Sequence, residues 1–172
     1  FSVVRYGNVM GSRGSVIPFF LSLLETGKLP ITDPAMTRFM ISLEEAVKLV
    51  WHAFNNMKGG EIYVKKIPSM GILDIAKTVA PEAIHEIIGI RPGEKLHEQM
   101  IGAEDAQHTY EYDQYYKILP AINGWSKDQQ RIGNGRKVQH NFSYTSDNNT
   151  DWMSRSELKD WITQNKHKIG LI

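Results

Sequence analysis

Apolar positions in the first part of the chain change from a strand-like run to a helix-like stripe. Phe1–Tyr6 is a β-branched and aromatic run that ends at Gly7, which predicts a buried strand. A stripe at helical spacing follows, with Pro18 in its first turn and Gly27 just past its end. Its apolar positions are Val16, Phe19, Phe20, Leu23 and Leu24. The pattern therefore predicts a strand, a glycine-rich loop and a helix.

The clearest predicted helix begins at Ser42. Glu45, three residues later, completes a capping-box pattern, and Gly59-Gly60 ends the periodic segment. The apolar positions form one stripe, at Leu43, Ala46, Val47, Val50, Phe54 and Met57. This spacing predicts an amphipathic helix with a single apolar face.

Shorter periodic segments continue the alternation of strand and helix. Extended pieces are predicted at Leu29–Thr32, Arg38–Ile41, Glu61–Val64 and Glu86–Ile88, and a helix at Ile72–Ala80. Strands that alternate with helices are typical of an α/β fold.

The pattern changes after about residue 103. Tyrosines 110, 112, 115 and 116 predict a strand or hairpin whose aromatic rings serve packing and do not stack on bases. Polar residues through Asn149 then predict a poorly ordered connection. A last helix is predicted at Arg155–Gln164, with Ser154 and Glu157 as its capping box. Its apolar face carries Leu158, Trp161 and Ile162, and the four tryptophans at 51, 125, 152 and 161 are likewise interpreted as packing residues.

Composition narrows the classes of partner. The net charge is +1, from 20 basic and 19 acidic residues, which argues against the basic face that nucleic-acid binding requires. Cysteine is absent, so disulfides and thiolate sites are excluded, which fits a cytoplasmic location. Apolar runs fall short of the roughly 20 residues that span a bilayer. Recognition of phosphate should therefore be local, with neither nucleic acid nor a membrane as partner.

The loop from Gly7 to Ser15 is the first candidate site. Gly7, Gly11 and Gly14 allow the backbone to approach a ligand, and Asn8 can donate and accept hydrogen bonds. The alternative is an ordinary tight connection between strand and helix. The spacing is not the G-x-G-x-x-G fingerprint of a dinucleotide site.

The segment Arg91-Pro-Gly-Glu94 is the second candidate. Proline and glycine fix a turn, from which Arg91 could offer a bidentate fork to phosphate while Glu94 accepts from sugar hydroxyls. The alternative is a solvated turn with an ion pair inside the loop. Arg38 is either a second phosphate clamp or the partner of Asp33 or a nearby glutamate. The sequence leaves both choices open.

A third segment, His97-Glu-Gln-Met-Ile101, begins like a zinc-protease helix. Its last position is isoleucine where a second histidine is required, so we predict no metal site.

Taken together, several strings resemble the extended short-chain dehydrogenase/reductase superfamily and, within it, the inverting UDP-N-acetylglucosamine 4,6-dehydratases of pseudaminic acid biosynthesis. The resemblance covers nearly the whole chain and weakens after about Met100. The strings are Val4–Pro18 (VRYGNVMGSRGSVIP), Pro30–Asp33 (PITD), Met36–Phe39 (MTRF), Gly59–Ile62 (GGEI), Lys66–Met70 (KIPSM) and Ile88–Glu98 (IGIRPGEKLHE).

The resemblance implies NADP as cofactor and UDP-N-acetylglucosamine as substrate, which is oxidised at C4, loses water across C5 and C6, and is inverted at C5. It implies a soluble, cytoplasmic homo-oligomer that supplies surface-glycan or flagellin glycosylation. By position, the residues implied on the nicotinamide side are Val9, Met10, Gly11, Ser12 and Arg13. The residues implied to contact the nucleotide-sugar are Asn8, Val16, Thr32, Arg38, Arg91 and Glu94, with Arg91 at the diphosphate and Arg38 the weaker candidate for it.

The sequence also departs from that superfamily. No glycine fingerprint precedes a βα unit, and no tyrosine is followed by lysine four residues later. We therefore assign no catalytic residue, and expect a C-terminal fragment that lacks the N-terminal Rossmann half and is inactive alone. The expected division is 1–30 (end of the Rossmann domain), 31–122 (substrate-binding lobe) and 123–172 (C-terminal extension). An exposed sheet edge and apolar face should cause self-association.

Two other functions stay open at this point. A UDP-sugar 4-epimerase of the same superfamily would keep these binding loops without eliminating water. A binding or interaction module would keep the nucleotide-sugar site without chemistry.

Overall fold

The structure is a computed structural model that describes residues 1–169. The strands are β1 (Val3–Arg5), β2 (Asn8–Val9), β3 (Lys28–Ile31), β4 (Thr37–Ile41), β5 (Ile62–Lys65), β6 (Ser69–Gly71), β7 (Ile84–Ile87), β8 (Gln99–Ile101), β9 (Thr109–Glu111), β10 (Tyr115–Ile118), β11 (Arg136–Lys137) and β12 (Tyr144–Thr145). The α-helices are α1 (Val16–Ser22), α2 (Leu43–Asn56), α3 (Ile72–Val79), α4 (Gln129–Ile132) and α5 (Arg155–Gln164). Short 3-10 turns lie at Leu24–Thr26, Ala106–His108, Ile122–Lys127 and Lys166–Lys168.

The chain forms two compact units, each assembled from three separate segments. The first unit contains residues 1–7, 42–67 and 99–145. The second contains residues 8–41, 68–98 and the described residues from 146 onward. The units are thus interleaved along the sequence, and the division at residues 30 and 122 stays a prediction about function.

The first unit is built on a mixed five-stranded sheet in the order β1-β5-β10-β9-β11. Strand β1 runs parallel to β5, with Val4 opposite Tyr63, and the remaining pairs are antiparallel. Helix α2 packs Leu49 and Ala53 against the buried ring of Tyr63. The predicted tyrosine hairpin, β9 with β10, is present. The predicted strand at the start of the chain is also present, but it is not buried as expected, because Val3 is exposed and Val4 and Arg5 are only partly covered.

Helix α2 begins at the predicted position but buries a different face. The Ser42 side chain accepts a hydrogen bond from the Glu45 backbone N–H at 3.2 Å, which caps the helix. Its buried residues are Ala46, Leu49 and Ala53. Most of the predicted stripe is exposed instead: Leu43, Val47, Val50, Phe54 and Met57, together with Trp51. The stripe therefore forms an open apolar surface, which we call the α2 face.

The segment predicted to be a poorly ordered connection carries regular elements, so that prediction is wrong. It contains α4, β11 and β12. Arg131 of α4 forms a buried ion pair with Glu61 at 2.9 Å. The Tyr144 hydroxyl donates to the Ile67 carbonyl and accepts from the Ile67 N–H, both at 3.0 Å. These long-range bonds fix the segment although its composition is polar.

The second unit contains the three-stranded sheet β2-β4-β6 and the parallel pair β3-β7. Helices α1, α3 and α5 enclose its core, to which Phe20, Ile75 and Leu158 contribute. Helix α5 has the predicted bounds and the predicted capping box between Ser154 and Glu157. Trp161 and Ile162 pack on this core as expected.

Two of the four tryptophans do not pack as predicted. Trp51 is 60% exposed on the α2 face, and Trp152 is also exposed. The Trp125 ring lies 4.0 Å from the Arg131 guanidinium carbon, so its packing is a cation–π contact.

Candidate functional site

A cavity of about 390 Å³ in the second unit brings together all six residues that the sequence assigned to the nucleotide-sugar. Gly14 and Ser15 of the candidate glycine-rich loop and six further residues complete its wall. The predicted residues in the wall are Asn8, Val16, Thr32, Arg38, Arg91 and Glu94, and the additional ones are Gly14, Ser15, Phe19, Phe20, Pro30, Met36, Ile72 and Ile88. These positions line one cavity, whereas their role in binding a ligand stays a prediction.

Strand ends place the polar residues of this wall. Asn8 begins β2, which pairs parallel with β4, and residues 10–15 of the predicted Gly7 to Ser15 loop follow β2. Thr32 comes directly after β3, which pairs parallel with β7. Ligands of α/β folds gather beyond the carboxyl ends of parallel strands; Thr32 occupies such an end, whereas Asn8 is the first residue of its strand.

Arg38 is held by backbone carbonyl groups and has no acidic partner. Its Nη1 donates to the carbonyl oxygens of Thr37 at 2.7 Å and Leu96 at 3.1 Å. Its Nη2 lies 3.4 Å from the Met36 sulfur, which is only a weak acceptor. Among residues 1–169, no carboxylate forms an ion pair with it. The alternative of an ion pair with Asp33 or a glutamate is therefore wrong.

The Arg91 to Glu94 segment forms the predicted turn. The Glu94 N–H donates to the Arg91 carbonyl at 3.0 Å, and Gly93 has φ of +84°, a value that glycine adopts without strain. A Glu94 carboxylate oxygen accepts from the Arg91 backbone N–H at 3.3 Å. In the described chain the two side chains form no ion pair, so the Arg91 guanidinium stays exposed at the cavity.

Apolar side chains line the rest of the cavity. Phe19 and Phe20 of α1 lie with ring centroids 5.9 Å apart, and Ile72 and Ile88 add aliphatic surface. An apolar wall together with two guanidinium groups suits a ligand that has both a planar ring and an anionic group. The helical spacing of Phe19 and Phe20 from Val16 was the only sequence signal for this wall.

The predicted cofactor segment, residues 9–13, does not line this cavity. The Met10 side chain belongs to the core, and Gly11 has φ of +77°. A Cβ atom at Gly11 would lie 2.5 Å from Ile169 and 3.0 Å from Trp161, so the loop packs closely against these two side chains. Ser12 and Arg13 are exposed, and they remain accessible to a ligand.

The histidine-containing segment at residues 97–101 is not helical. Its last residues form β8, which pairs with β12. The described residues contain no group of three side chains able to hold a metal ion. They also include no helix with the length and apolarity to cross a membrane.

A cavity of about 410 Å³ in the first unit has different chemistry. Lys48 and Lys65, which line it, both bind Glu45, at 2.6 and 3.4 Å. Burial, with the nearby charges of Lys117 and Lys65, lowers the pKa of His52. None of the predicted site residues lines this cavity, and its lysines already have a counterion. We therefore place the candidate site in the second unit.

Comparison with known proteins identifies relatives of this chain. A family model described as "Polysaccharide biosynthesis protein" matches residues 1–120. A UDP-N-acetylglucosamine 4,6-dehydratase (inverting) from Campylobacter jejuni is 54% identical over 169 residues, which are 94% of this chain and 51% of that protein. A UDP-glucose 4-epimerase from Rickettsia canadensis is 37% identical over 93% of this chain and 48% of its own length.

The fold has a solved counterpart. The X-ray structure of Pen from Bacillus thuringiensis matches with a TM-score of 0.80 and 31% identity, over 96% of this chain and 49% of that one. The predicted α/β fold class is confirmed. The chain spans about half the length of the curated relatives it matches. Because the family model covers most of its length, the chain belongs to the polysaccharide biosynthesis protein family.

Proposed function

We propose that this chain is the nucleotide-sugar-binding half of an inverting UDP-N-acetylglucosamine 4,6-dehydratase. The observation that carries the proposal is Arg38, a cation fixed by two carbonyl groups in the wall of a cavity and paired with no carboxylate among the described residues. The relative with that name is 54% identical, compared with 37% for the epimerase, which favours the dehydratase.

The cavity residues divide the recognition of a UDP-sugar between them. Arg38 is the principal contact for the diphosphate, because its guanidinium is already oriented, and the exposed Arg91 is the second. Asn8, Thr32 and Glu94 offer polar groups to hydroxyls, and Val16 belongs to the apolar wall. This order reverses the sequence interpretation, which ranked Arg91 above Arg38.

A nicotinamide cofactor belongs to such a reaction, and we propose NADP. Ser12 and Arg13 fit a phosphate-bearing group, because both are exposed and Arg13 has no ion-pair partner among residues 1–169. Val9, Met10 and Gly11 would contact the cofactor through their backbone groups, since the Met10 side chain is in the core. Bound NADP supplies reversible hydride transfer.

The chain itself binds and orients the substrate. It contains no tyrosine with a lysine four residues later, so the acid–base groups must come from an additional dinucleotide-binding half. The proposed setting is a cytoplasmic homo-oligomer in which water is eliminated from UDP-N-acetylglucosamine for surface-glycan, pseudaminic acid or flagellin glycosylation. The chain alone should bind without turnover.

Product analysis tests this function. The chain, joined to a dinucleotide-binding half, is incubated with UDP-N-acetylglucosamine in deuterated water, and the product is identified by NMR. A 4-keto-6-deoxy sugar with deuterium at C5 supports the dehydratase. A product epimerised at C4, with all its hydroxyls retained, would contradict it and support the UDP-sugar 4-epimerase. Binding of UDP with neither product would support the binding module.

A further inference from the structure

We propose that Ser146, Thr37 and His97 are positioning residues that hold the guanidinium of Arg38 in place for an anionic ligand. The proposal rests on the function proposed above, because it assigns Arg38 to the diphosphate. It gives the C-terminal segment, which the sequence interpretation left outside the substrate site, a role in that site.

The three side chains form one hydrogen-bonded group, which we call the Thr37 clamp. The Thr37 hydroxyl lies 2.6 Å from the Ser146 hydroxyl and 2.8 Å from His97 Nδ1. Ser146 is fully buried, and Thr37 is 8% exposed. A buried hydroxyl is costly unless it is bonded, so this group is stable only as a set.

The Ser146 hydroxyl also contacts two backbone groups. Its hydroxyl accepts from the Glu98 N–H at 2.9 Å and lies 3.2 Å from the Thr37 carbonyl oxygen, to which it can donate. Its own N–H donates to the Glu98 carbonyl at 2.8 Å. One residue from the C-terminal segment therefore binds both β4, through Thr37, and the segment that follows the Arg91 turn.

The residues before and after Arg38 are both hydrogen-bonded, one to Ser146 and the other to Glu98, whose N–H donates to Ser146. The Thr37 carbonyl, which Ser146 contacts, is also the acceptor at 2.7 Å for Arg38 Nη1. On the other side, the Phe39 N–H donates to the Glu98 carboxylate at 2.9 Å.

The second carbonyl acceptor of Arg38 is fixed in the same way. Leu96, which accepts from Arg38 Nη1 at 3.1 Å, also accepts from the Thr37 N–H at 3.2 Å. Both carbonyl groups that orient the guanidinium are thus held by Thr37, and Thr37 is held by Ser146 and His97. Phosphate recognition by arginine depends on the direction of its N–H fork, so loss of the clamp should weaken the contact without removing the charge.

The test compares two ways of removing the clamp with a matched control. Thr37→Val and Ser146→Ala each delete one hydroxyl group of the clamp, whereas Thr37→Ser keeps a hydroxyl group at position 37. Thr109→Val is the control, because Thr109 is a fully buried threonine in the first unit whose hydroxyl donates to the Asp105 backbone carbonyl at 2.8 Å and does not contact Arg38.

Three readouts are measured on the 172-residue chain: affinity for UDP, affinity for uridine, and the ¹⁵N-edited NMR signals of the Arg38 guanidinium. We expect Thr37→Val and Ser146→Ala to weaken UDP binding by about tenfold, the size of one lost charge-assisted hydrogen bond, with uridine binding unchanged. The Arg38 signals should be broader in both of these variants than in the wild type, and as sharp in Thr37→Ser as in the wild type. In an Arg38→Ala background, Ser146→Ala should cause no further loss of UDP affinity.

The outcomes separate this inference from the proposed function. If the clamp variants only lower the melting temperature, as Thr109→Val should, while UDP affinity and the Arg38 signals stay unchanged, the positioning role is overturned and the UDP site stands. If the wild-type chain does not bind UDP, the proposed function fails. The Arg38 signals then decide the clamp by themselves, since their dependence on Ser146 requires no ligand.

Discussion

The guanidinium of Arg38 donates to the carbonyl oxygen of Leu96 at 3.1 Å, across a separation of 58 residues. A carbonyl group orients a cation without neutralising it, whereas a carboxylate would do both. Arg38 therefore keeps its charge for a ligand while its direction is fixed, which distinguishes it from the exposed Arg91 in the same cavity wall.

Replacement of Arg38 should weaken UDP binding more than replacement of Arg91. We expect Arg38→Ala to cost about 1.5–3 kcal/mol of binding free energy, as for a hydrogen bond to a charged group, and Arg91→Ala less than about 1 kcal/mol. Calorimetric titration of each variant with UDP measures both. Arg136→Ala, an exposed arginine of the first unit, is the control and should have no effect. A larger loss of affinity for Arg91→Ala would indicate that Arg91, and not Arg38, is the principal contact for the diphosphate.

Removal of the charge of Glu61 should destabilise the first unit. Glu61 is 2% exposed and lies 2.9 Å from Arg131, which is 9% exposed. Glu61→Gln should lower the free energy of unfolding by about 3 kcal/mol, because it removes the buried carboxylate that pairs with a buried cation. Asp128→Asn, at the half-exposed second partner of Arg131, should cost less than about 1 kcal/mol in the same denaturant titration.

The pH dependence of Glu61 gives this prediction a second check. Burial disfavours the carboxylate, but hydrogen bonds from its own backbone N–H, from the Ser2 side chain and from the Lys58 and Gly59 backbone outweigh burial, so the pKa of Glu61 lies below its ordinary value. A depressed pKa in the folded state gives stability that is present above the ordinary glutamate pKa and is lost as the pH falls through the folded value. Glu61→Gln should therefore reduce the acid sensitivity of unfolding. If the free energy of unfolding of Glu61→Gln fell at acid pH as steeply as that of the wild type, this prediction would be contradicted.

Tyr63 should make the fold sensitive to alkali. Burial, and next the charge of Glu61, raise the pKa of Tyr63 to about 12. The neutral phenol then stabilises the fold fully below the ordinary tyrosine pKa of about 10, and this stability is lost as the pH rises toward 12. Tyr63→Phe should shift the alkaline unfolding midpoint upward.

A matched tyrosine distinguishes the two roles of a buried hydroxyl. The Tyr63 hydroxyl is buried and has no hydrogen-bond partner among residues 1–169, so Tyr63→Phe should be neutral or stabilising at pH 7. Tyr110 donates to the Ser126 carbonyl at 2.8 Å, so Tyr110→Phe should cost about 1 kcal/mol. Thermal unfolding at pH 7 compares them. A larger cost for Tyr63→Phe would show that its hydroxyl is bonded in solution.

The α2 face should promote self-association of the chain. Phe54, one of the residues of this face, is 63% exposed. Because burial of one such side chain is worth about 1.5–3 kcal/mol, Phe54→Lys should weaken association at least about tenfold. Asn55→Lys adds the same charge at an exposed neighbour and is the control. Sedimentation at increasing concentration measures the effect, and a wild-type chain that stays monomeric would contradict it.

The sequence predicted those features that depend on local chemistry. The Ser154 and Glu157 capping box set the start of α5, and Pro92-Gly93 set the turn after Arg91, because both depend on residues within one turn. The identity of the cavity residues came from a resemblance and not from their pattern.

The rest depended on contacts distant in sequence. The partners of Arg38 lie at Leu96 and, through Thr37, at Ser146, which no spacing rule connects. The apolar stripe of α2 was visible, but periodicity does not show whether a neighbouring element covers a face. The polar segment around Arg131 is ordered by its ion pair with Glu61, 70 residues away, which composition cannot show.

Titration of the 172-residue chain with UDP, followed by heat and by ¹H–¹⁵N NMR, tests the central claim most directly. The account predicts measurable heat, and chemical-shift changes at Asn8, Thr32 and Arg38 in the cavity of the second unit. No heat and no shift changes at millimolar UDP, or changes confined to the cavity around His52 in the first unit, would contradict it.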